Sequence, residues 1–261
     1  MTRSATPPLR ITMLAGALLA ALAGCITTTD DPSPVEESPS EAASFNVQLG
    51  ANYLRQGNLE LAKDKIDKAL EQDPELPLAH TYAGLLYDRI GEADRAEGHY
   101  RTSLRLQPDD SVTLNLFGAY LCRQSKAEEA ERYFLAATRD PLYRTPEVPY
   151  TNAGVCLSGV SQYERAESYF RRALDANSRY GDALWQMARL SDQLGRTLQA
   201  RAFFQRYAEV NTLNSQALWL GVRIERSLGD QSSAQRYADR LLSDFPDSVE
   251  ARALLESMEN T

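Results

Sequence analysis

Histidine and cysteine side chains are suited to metal binding and nucleophilic catalysis. The chain has two histidines and three cysteines. His80 and His99 stand far apart from any cysteine, so no cluster has the spacing of a metal site. The sequence has neither a glycine-rich phosphate loop nor a Gly-x-Ser-x-Gly motif. We therefore predict that the protein is not an enzyme, binds no metal and needs no cofactor.

Composition narrows the class of protein further. The 261 residues are 43% hydrophobic and 25% charged, with a net charge of −8. These values are typical of a soluble globular chain and exclude a disordered, collagen-like or multi-span membrane protein. An acidic chain is a poor match for phosphate backbones, so we predict no nucleic-acid partner. Nothing in the motifs points to a small-molecule substrate.

The N-terminus predicts a secreted protein. Two arginines precede an apolar run at 11–23, which is too short to span a bilayer and is typical of a signal peptide. The run leads into Leu-Ala-Gly-Cys at 22–25, which resembles a bacterial lipobox. The resemblance implies that residues 1–24 are removed and that Cys25 carries a diacylglycerol and an acylated amine, an anchor of three acyl chains. Ile26 favours sorting to the outer membrane. The alternative is an ordinary signal peptide in which Cys25 has no role.

A segment rich in acids and prolines follows the cysteine. Residues 26–42 read ITTTDDPSPVEESPSEA, a composition that cannot bury enough apolar surface to fold. We predict that residues 25–42 are a lipid-bearing cysteine with a disordered tether.

The remainder repeats with a period of 34 residues. Gly50, Gly84 and Gly118 recur at that step, as do alanines twelve residues after each of them. This pattern resembles the tetratricopeptide repeat, which has a small residue at position 8, alanine at 20 and a bulky residue at 24. The resemblance implies an all-α superhelix of helix-turn-helix repeats. We place six repeats at 43–248 and a capping helix and tail at 249–261. The repeats span 43–76, 77–110, 111–144, 147–180, 181–214 and 215–248.

In repeats of this kind, positions 2, 5, 9, 12 and 13 of the first helix face the concave surface. In the first repeats these positions predict an exposed apolar strip beside arginines that could hold carboxylate groups. The alternative is that helix packing or the tether covers the strip and that the arginines are simply solvated. Trp185 and Trp219 share position 5 of repeats five and six, as a second contact surface or as packing. The predicted groove residues are Val47, Ala51, Leu54, Arg55, Leu78, Leu85, Arg89 and Arg123.

The two remaining cysteines fall in adjacent repeats. Cys122 and Cys156 occupy first helices that stack side by side, so a disulfide is geometrically possible. A secreted domain meets an oxidising environment, which favours the bond. Two buried free thiols are the alternative.

The central segment resembles one family more specifically. Tyr-Leu-Cys at 120–122, Asp-Pro-Leu-Tyr at 140–143 and Asn-Ala-Gly-Val-Cys at 152–156 are similar to the type IV pilus biogenesis/stability lipoproteins of the PilF/PilW family. The resemblance implies a pilotin, a lipoprotein on the periplasmic face of the outer membrane that binds secretin subunits. Such a protein helps them to reach that membrane and to multimerise. The family's cysteine pair maps onto Cys122 and Cys156, and its acylated cysteine onto Cys25. The alternative is a repeat scaffold of another outer-membrane assembly or peptidoglycan machine.

Overall fold

A computed structural model describes residues 38–259 of the chain, and that part is built from α-helices alone. The predicted all-α fold of stacked helix pairs is confirmed. None of the described helices is long and apolar enough to cross a membrane. The helices are α1 (Pro39–Arg55), α2 (Leu59–Gln72), α3 (Pro77–Ile90), α4 (Ala93–Leu106), α5 (Ser111–Arg123), α6 (Ala127–Ala137), α7 (Glu147–Gly159), α8 (Tyr163–Ala176), α9 (Gly181–Gln193), α10 (Thr197–Val210), α11 (Ser215–Ser227), α12 (Gln231–Asp244) and α13 (Val249–Glu259).

Each repeat is one pair of helices joined by a tight turn. The turn residue at position 15 has a left-handed backbone in all six repeats, and four of the six are glycine, which adopts that conformation without strain. Ser125 and Ser161 occupy the same place, with φ of 61° and 60°. The turn therefore has the same geometry throughout, although its residue type changes.

In the first five repeats the interior of each pair depends on one small side chain at position 8 and one bulky side chain at position 24. A Cβ added to Gly84 would lie 2.8 Å from Cδ1 of Tyr100, and one added to Gly154 would lie 2.6 Å from Cδ1 of Phe170. The glycine at position 8 therefore lets the ring at position 24 pack directly on the backbone of the first helix. The bulky residues at position 24 are fully buried in the first five repeats. They are Ile66, Tyr100, Phe134, Phe170 and Phe204.

The first helix begins four residues earlier than predicted, so the prediction of a disordered tether up to residue 42 is wrong at its end. Ser38 caps α1, since its Oγ accepts a hydrogen bond from the Glu41 amide at 3.2 Å. The Glu41 carboxylate in turn accepts one from the Ser38 amide at 3.0 Å. This reciprocal capping box, with Pro39 at the first helical position, offsets the unfavourable composition. The predicted signal peptide 1–24, Cys25 and the tether up to residue 37 lie outside the described residues.

The helix pairs stack in chain order, and consecutive first helices contact one another. The exception is α9 and α11, which approach each other less closely than the other consecutive first helices. The buried core also divides there, with Met187 and Leu190 in one cluster and Ala188 in the next. At the C-terminal end α13 packs on α11 and α12, and it buries Ala251 and Leu254. That helix covers the apolar side of the last repeat, as a cap must.

Candidate functional site

The concave surface is the side of the stack formed by the first helices, and its N-terminal end holds a small cleft. This cleft has a volume of about 220 Å³ and lies between α1 and α3. It brings together four of the predicted groove residues and Tyr82, which the sequence reasoning missed. The four are Val47, Ala51, Arg55 and Leu78.

The predicted apolar strip is mostly core, so the prediction that it is exposed is wrong for Leu54 and Val47. Leu54 is only 1% exposed and belongs to the main core cluster, and Val47 is fully buried with its neighbours in a smaller cluster. Leu85 is half-buried against the core. The physical reason is that α3 packs directly on α1 and covers these positions. Leu78, 39% exposed, is the strip residue that remains open to solvent.

The three predicted groove arginines are exposed, but their guanidinium groups are already used within the stack. Arg89 donates from Nη1 to the Leu54 carbonyl at 2.5 Å, which ties the second repeat to the first. Arg123 forms an ion pair with Asp88 of the preceding repeat. Arg55 donates to Asn52 on its own helix. Two of the three arginines therefore hold neighbouring first helices in register, which reduces their freedom to bind a partner's carboxylate.

Cys122 on α5 and Cys156 on α7 lie side by side. Their Cα atoms are 5.7 Å apart and the two sulfur atoms are at bonding distance. A Cα separation of that size is within the range that a disulfide spans. The pair links repeats three and four next to the two extra residues, 145–146, that interrupt the 34-residue register.

Another cleft lies towards the other end of the described stack. It has a volume of about 610 Å³ and is lined by α9, α11 and the start of α13. Trp185 and Trp219 both line it, so the structure brings together the two tryptophans that share position 5. Arg189 and Arg223, at position 9 of the same repeats, also line it. The sequence reasoning missed these arginines, although its rule for concave positions would have found them in repeats five and six.

The two histidines contact each other on repeat two. Nδ1 of His80 lies 3.0 Å from Nδ1 of His99, and the His99 ring stacks on Tyr87 at 5.4 Å between centroids. Burial lowers the pKa of His99, and the neighbouring His80 lowers it further. Among residues 38–259 no group of three or more histidine, cysteine, aspartate or glutamate side chains is placed to hold a metal ion.

Comparisons with known proteins agree with this architecture. Family models for the tetratricopeptide repeat match residues 47–111 and 159–220. The fold and its concave surface therefore define a tetratricopeptide-repeat protein.

The relatives are more specific than the repeat class. The type IV pilus assembly protein PilF of Pseudomonas aeruginosa is 32% identical over 174 residues, which cover 66% of this chain and 69% of PilF. The crystal structure of PilW, a widely conserved type IV pilus biogenesis factor, is 31% identical with a TM-score of 0.74. That match covers 82% of this chain and 98% of PilW. A structure from the functional characterisation of P. aeruginosa PilF is 28% identical, with a TM-score of 0.74. That match covers 85% of this chain and 100% of the PilF chain. The chain belongs to the PilF/PilW family of type IV pilus proteins.

Proposed function

We propose that this protein is a pilotin, an outer-membrane lipoprotein that binds secretin subunits in type IV pilus biogenesis. In this role it promotes the localisation of the subunits to the outer membrane and their multimerisation. The observation that carries the proposal is the similarity to PilF, whose name describes it as a type IV pilus assembly protein. The same function requires the lipid anchor at Cys25 and a location on the periplasmic face of the outer membrane.

The mechanism is that of a tethered adaptor and needs no chemical step. An acyl-anchored Cys25 confines the repeats to the membrane surface, which raises the effective concentration of the subunit that they hold. The N-terminal cleft offers Leu78 and Tyr82 beside the Arg55 guanidinium. An apolar secretin segment that covers Leu78 gains the free energy of apolar burial.

The cysteine pair supports the same role when it is oxidised. A bond between Cys122 and Cys156 joins two consecutive first helices across the insertion at 145–146. It limits how far repeats three and four can move apart, so that the concave surface keeps its shape when a subunit binds. The bond acts between repeats three and four and not at the N-terminal cleft, which lies between repeats one and two.

The first experiment is a deletion strain in which secretin from separated membranes is run unboiled on a gel. We expect loss of the heat-stable multimer from the outer membrane, with secretin subunits found instead in the inner membrane. Wild-type protein should restore the multimer, and Cys25→Ala should fail to do so. Multimers of normal amount and location in the deletion strain would rule out the proposal and favour a scaffold of another machine.

A second experiment locates the binding surface. Leu78→Glu places a charge in the N-terminal cleft, and we expect it to abolish secretin capture by the folded protein. Leu61→Glu is the matched control, because Leu61 on α2 is 41% exposed against 39% for Leu78 but lies outside the cleft. Leu54 is unsuitable for this test because a charge there would disrupt the core. Equal capture by the two variants would remove this cleft from the mechanism.

A further inference from the structure

The cleft between repeats five and six is large, open and unused by the function proposed above. We propose that it is a second peptide-binding site, which takes an extended segment of a partner protein. That segment carries an acidic side chain at one end, a basic side chain at the other, and two apolar side chains between them. The inference does not depend on which secretin or machine the N-terminal repeats serve.

The cleft exists because two neighbouring first helices do not close on each other. Helices α9 and α11 are less closely packed than the other consecutive first helices, and the buried core divides at α9. The resulting space of about 610 Å³ contrasts with the space of about 220 Å³ between α1 and α3. A volume of this size accommodates several side chains of a bound peptide.

Aromatic side chains line this space and are already held in position. Trp185 and Trp219 are both half-buried, and the Trp185 ring lies 5.3 Å from the Tyr207 ring. The Arg189 guanidinium lies 5.9 Å from the centre of the Trp185 ring. Trp219 packs against the buried core instead. Tryptophans held by such contacts offer a large contact area and lose little conformational entropy when a ligand binds. Apolar side chains of the ligand are therefore expected to lie on these two residues.

The charged side chains of the cleft determine which charges the ligand carries on either side of its two apolar side chains. Arg223 is neutralised by its ion pair with Asp192. Arg189 on α9 and Glu250 on α13 also line the cleft, and neither forms an ion pair within the part of the chain that the structure describes. The α9 side of the cleft thus carries a cation with no ion-pair partner among the described residues, and the α13 side carries a carboxylate with none. An occupant with the opposite charges in the matching order is complementary to it.

The spacing of the helices sets the spacing in the ligand. Packed helices lie about 8–10 Å apart, which is a lower limit for α9 and α11, and an extended chain rises about 3.3 Å per residue. Apolar side chains that meet Trp185 and Trp219 are therefore at least about three residues apart. The acidic and basic side chains, which span from α9 to α13, are at least about six residues apart. The peptide ELSSLSK, acetylated and amidated at its ends, has the shortest of these spacings.

Tryptophan fluorescence measures binding at this cleft directly, because Trp185 and Trp219 are the two tryptophans of the whole sequence. We expect ELSSLSK, titrated into the purified full chain, to change the emission saturably. QLSSLSQ, which lacks the charges, and EASSASK, which lacks the apolar side chains, should bind at least about tenfold more weakly. The absence of a saturable change with ELSSLSK, or equal binding of the three peptides, would overturn the proposal.

Charge-reversal variants of the protein test the charge order. Arg189→Glu should weaken ELSSLSK binding by about tenfold or more, and Glu250→Lys should shift the preference from ELSSLSK to ELSSLSE. Arg252→Glu is the matched control, since this exposed arginine on α13 lies outside the cleft and the charge change is the same as at Arg189. Circular dichroism confirms that each variant is folded. If Arg189→Glu binds ELSSLSK as well as Arg252→Glu does, the site is wrongly assigned.

Discussion

Replacing Gly154 with alanine tests the packing of a small residue at position 8 against a bulky residue at position 24, which recurs in the first five repeats. A Cβ at this position would lie 2.6 Å from Cδ1 and 2.9 Å from Cζ of Phe170. Carbon atoms in contact normally stay about 3.5–4.0 Å apart. Phe170 is buried between α7 and α8 and has little room to move, so the two helices must separate. We expect the variant to fold but to be less stable.

The size of the effect follows from two opposing contributions. Forcing an extra methyl group into a packed core costs about 1–3 kcal/mol, while replacing a helical glycine with alanine gains about 0.5–1 kcal/mol. The net loss for Gly154→Ala is therefore about 0–2.5 kcal/mol, with a central value of about 1 kcal/mol. Repeat five indicates that the loss of stability is limited, because it has Ala188 at the same position beside its own buried Phe204. The helix spacing can thus adjust to one methyl group.

The same substitution at Gly98 is the matched control. A Cβ there meets no atom within 4 Å, so only the helix-propensity gain applies. In a chain of this size each kcal/mol shifts Tm by about 2–4 °C. Thermal unfolding followed by circular dichroism should then show Gly154→Ala melting up to about 10 °C below wild type and Gly98→Ala about 1–4 °C above it. Shifts of the same sign in both variants would refute the packing argument.

Three further predictions concern pH, the cysteine pair and the turns. Burial lowers the pKa of His99, so the folded state resists protonation of this side chain. The protein should therefore lose stability as the pH falls below about 6.5, the pKa of histidine in the unfolded chain. Between about pH 7.5 and 5.5, the Tm of His99→Gln should fall less than the Tm of the wild type. If oxidised, the Cys122–Cys156 pair closes a 34-residue separation, and its loss should cost about 3–4 kcal/mol; dithiothreitol should lower Tm in wild type but not in the double serine variant. Ser125 and Ser161 each have a left-handed backbone, which is strained for serine but not for glycine. Ser125→Gly or Ser161→Gly should therefore raise the free energy of unfolding, measured by urea titration, by about 0.5–1 kcal/mol. A decrease in either variant would contradict this.

The fold was predictable because its determinants recur at a fixed spacing. The small residue at position 8, the alanine at position 20 and the turn residue at position 15 each appear several times. One ambiguous repeat is therefore corrected by the others. The start of α1 could not be recovered in this way, since it precedes the first repeat. It depends on the local contact of Ser38 with Glu41, which the acidic composition around it obscured.

Exposure on the concave surface was harder to predict than the repeats themselves. The rule for concave positions correctly selects first-helix residues, but it contains no information on how closely the next first helix approaches. In repeat one α3 lies against α1, and Val47 at position 5 is fully buried. In repeat five α11 stays further from α9, and Trp185 at position 5 lies beside an open cleft. The same position is thus core in one repeat and lines a cleft in another, because the next first helix approaches less closely.

The ion pairs between repeats show how the order of the stack is specified. Lys126 pairs with Glu97 and Arg196 pairs with Glu167, each with the cation in the later repeat of the two. All of these residues stand at position 21 of the earlier repeat or position 16 of the later one. At this pair of positions the charges are reversed between repeats five and six, where Arg201 of the earlier repeat pairs with Asp230 of the later one. Elsewhere on the same joint, Arg223 of repeat six pairs with Asp192 of repeat five. If repeat six docked on repeat four instead, Asp230 would face Glu167, and like charges would meet. Exposed pairs add little stability, but reversed signs disfavour such misassembly. The reversal occurs at the joint between repeats five and six, where α9 and α11 approach each other less closely than the other consecutive first helices do.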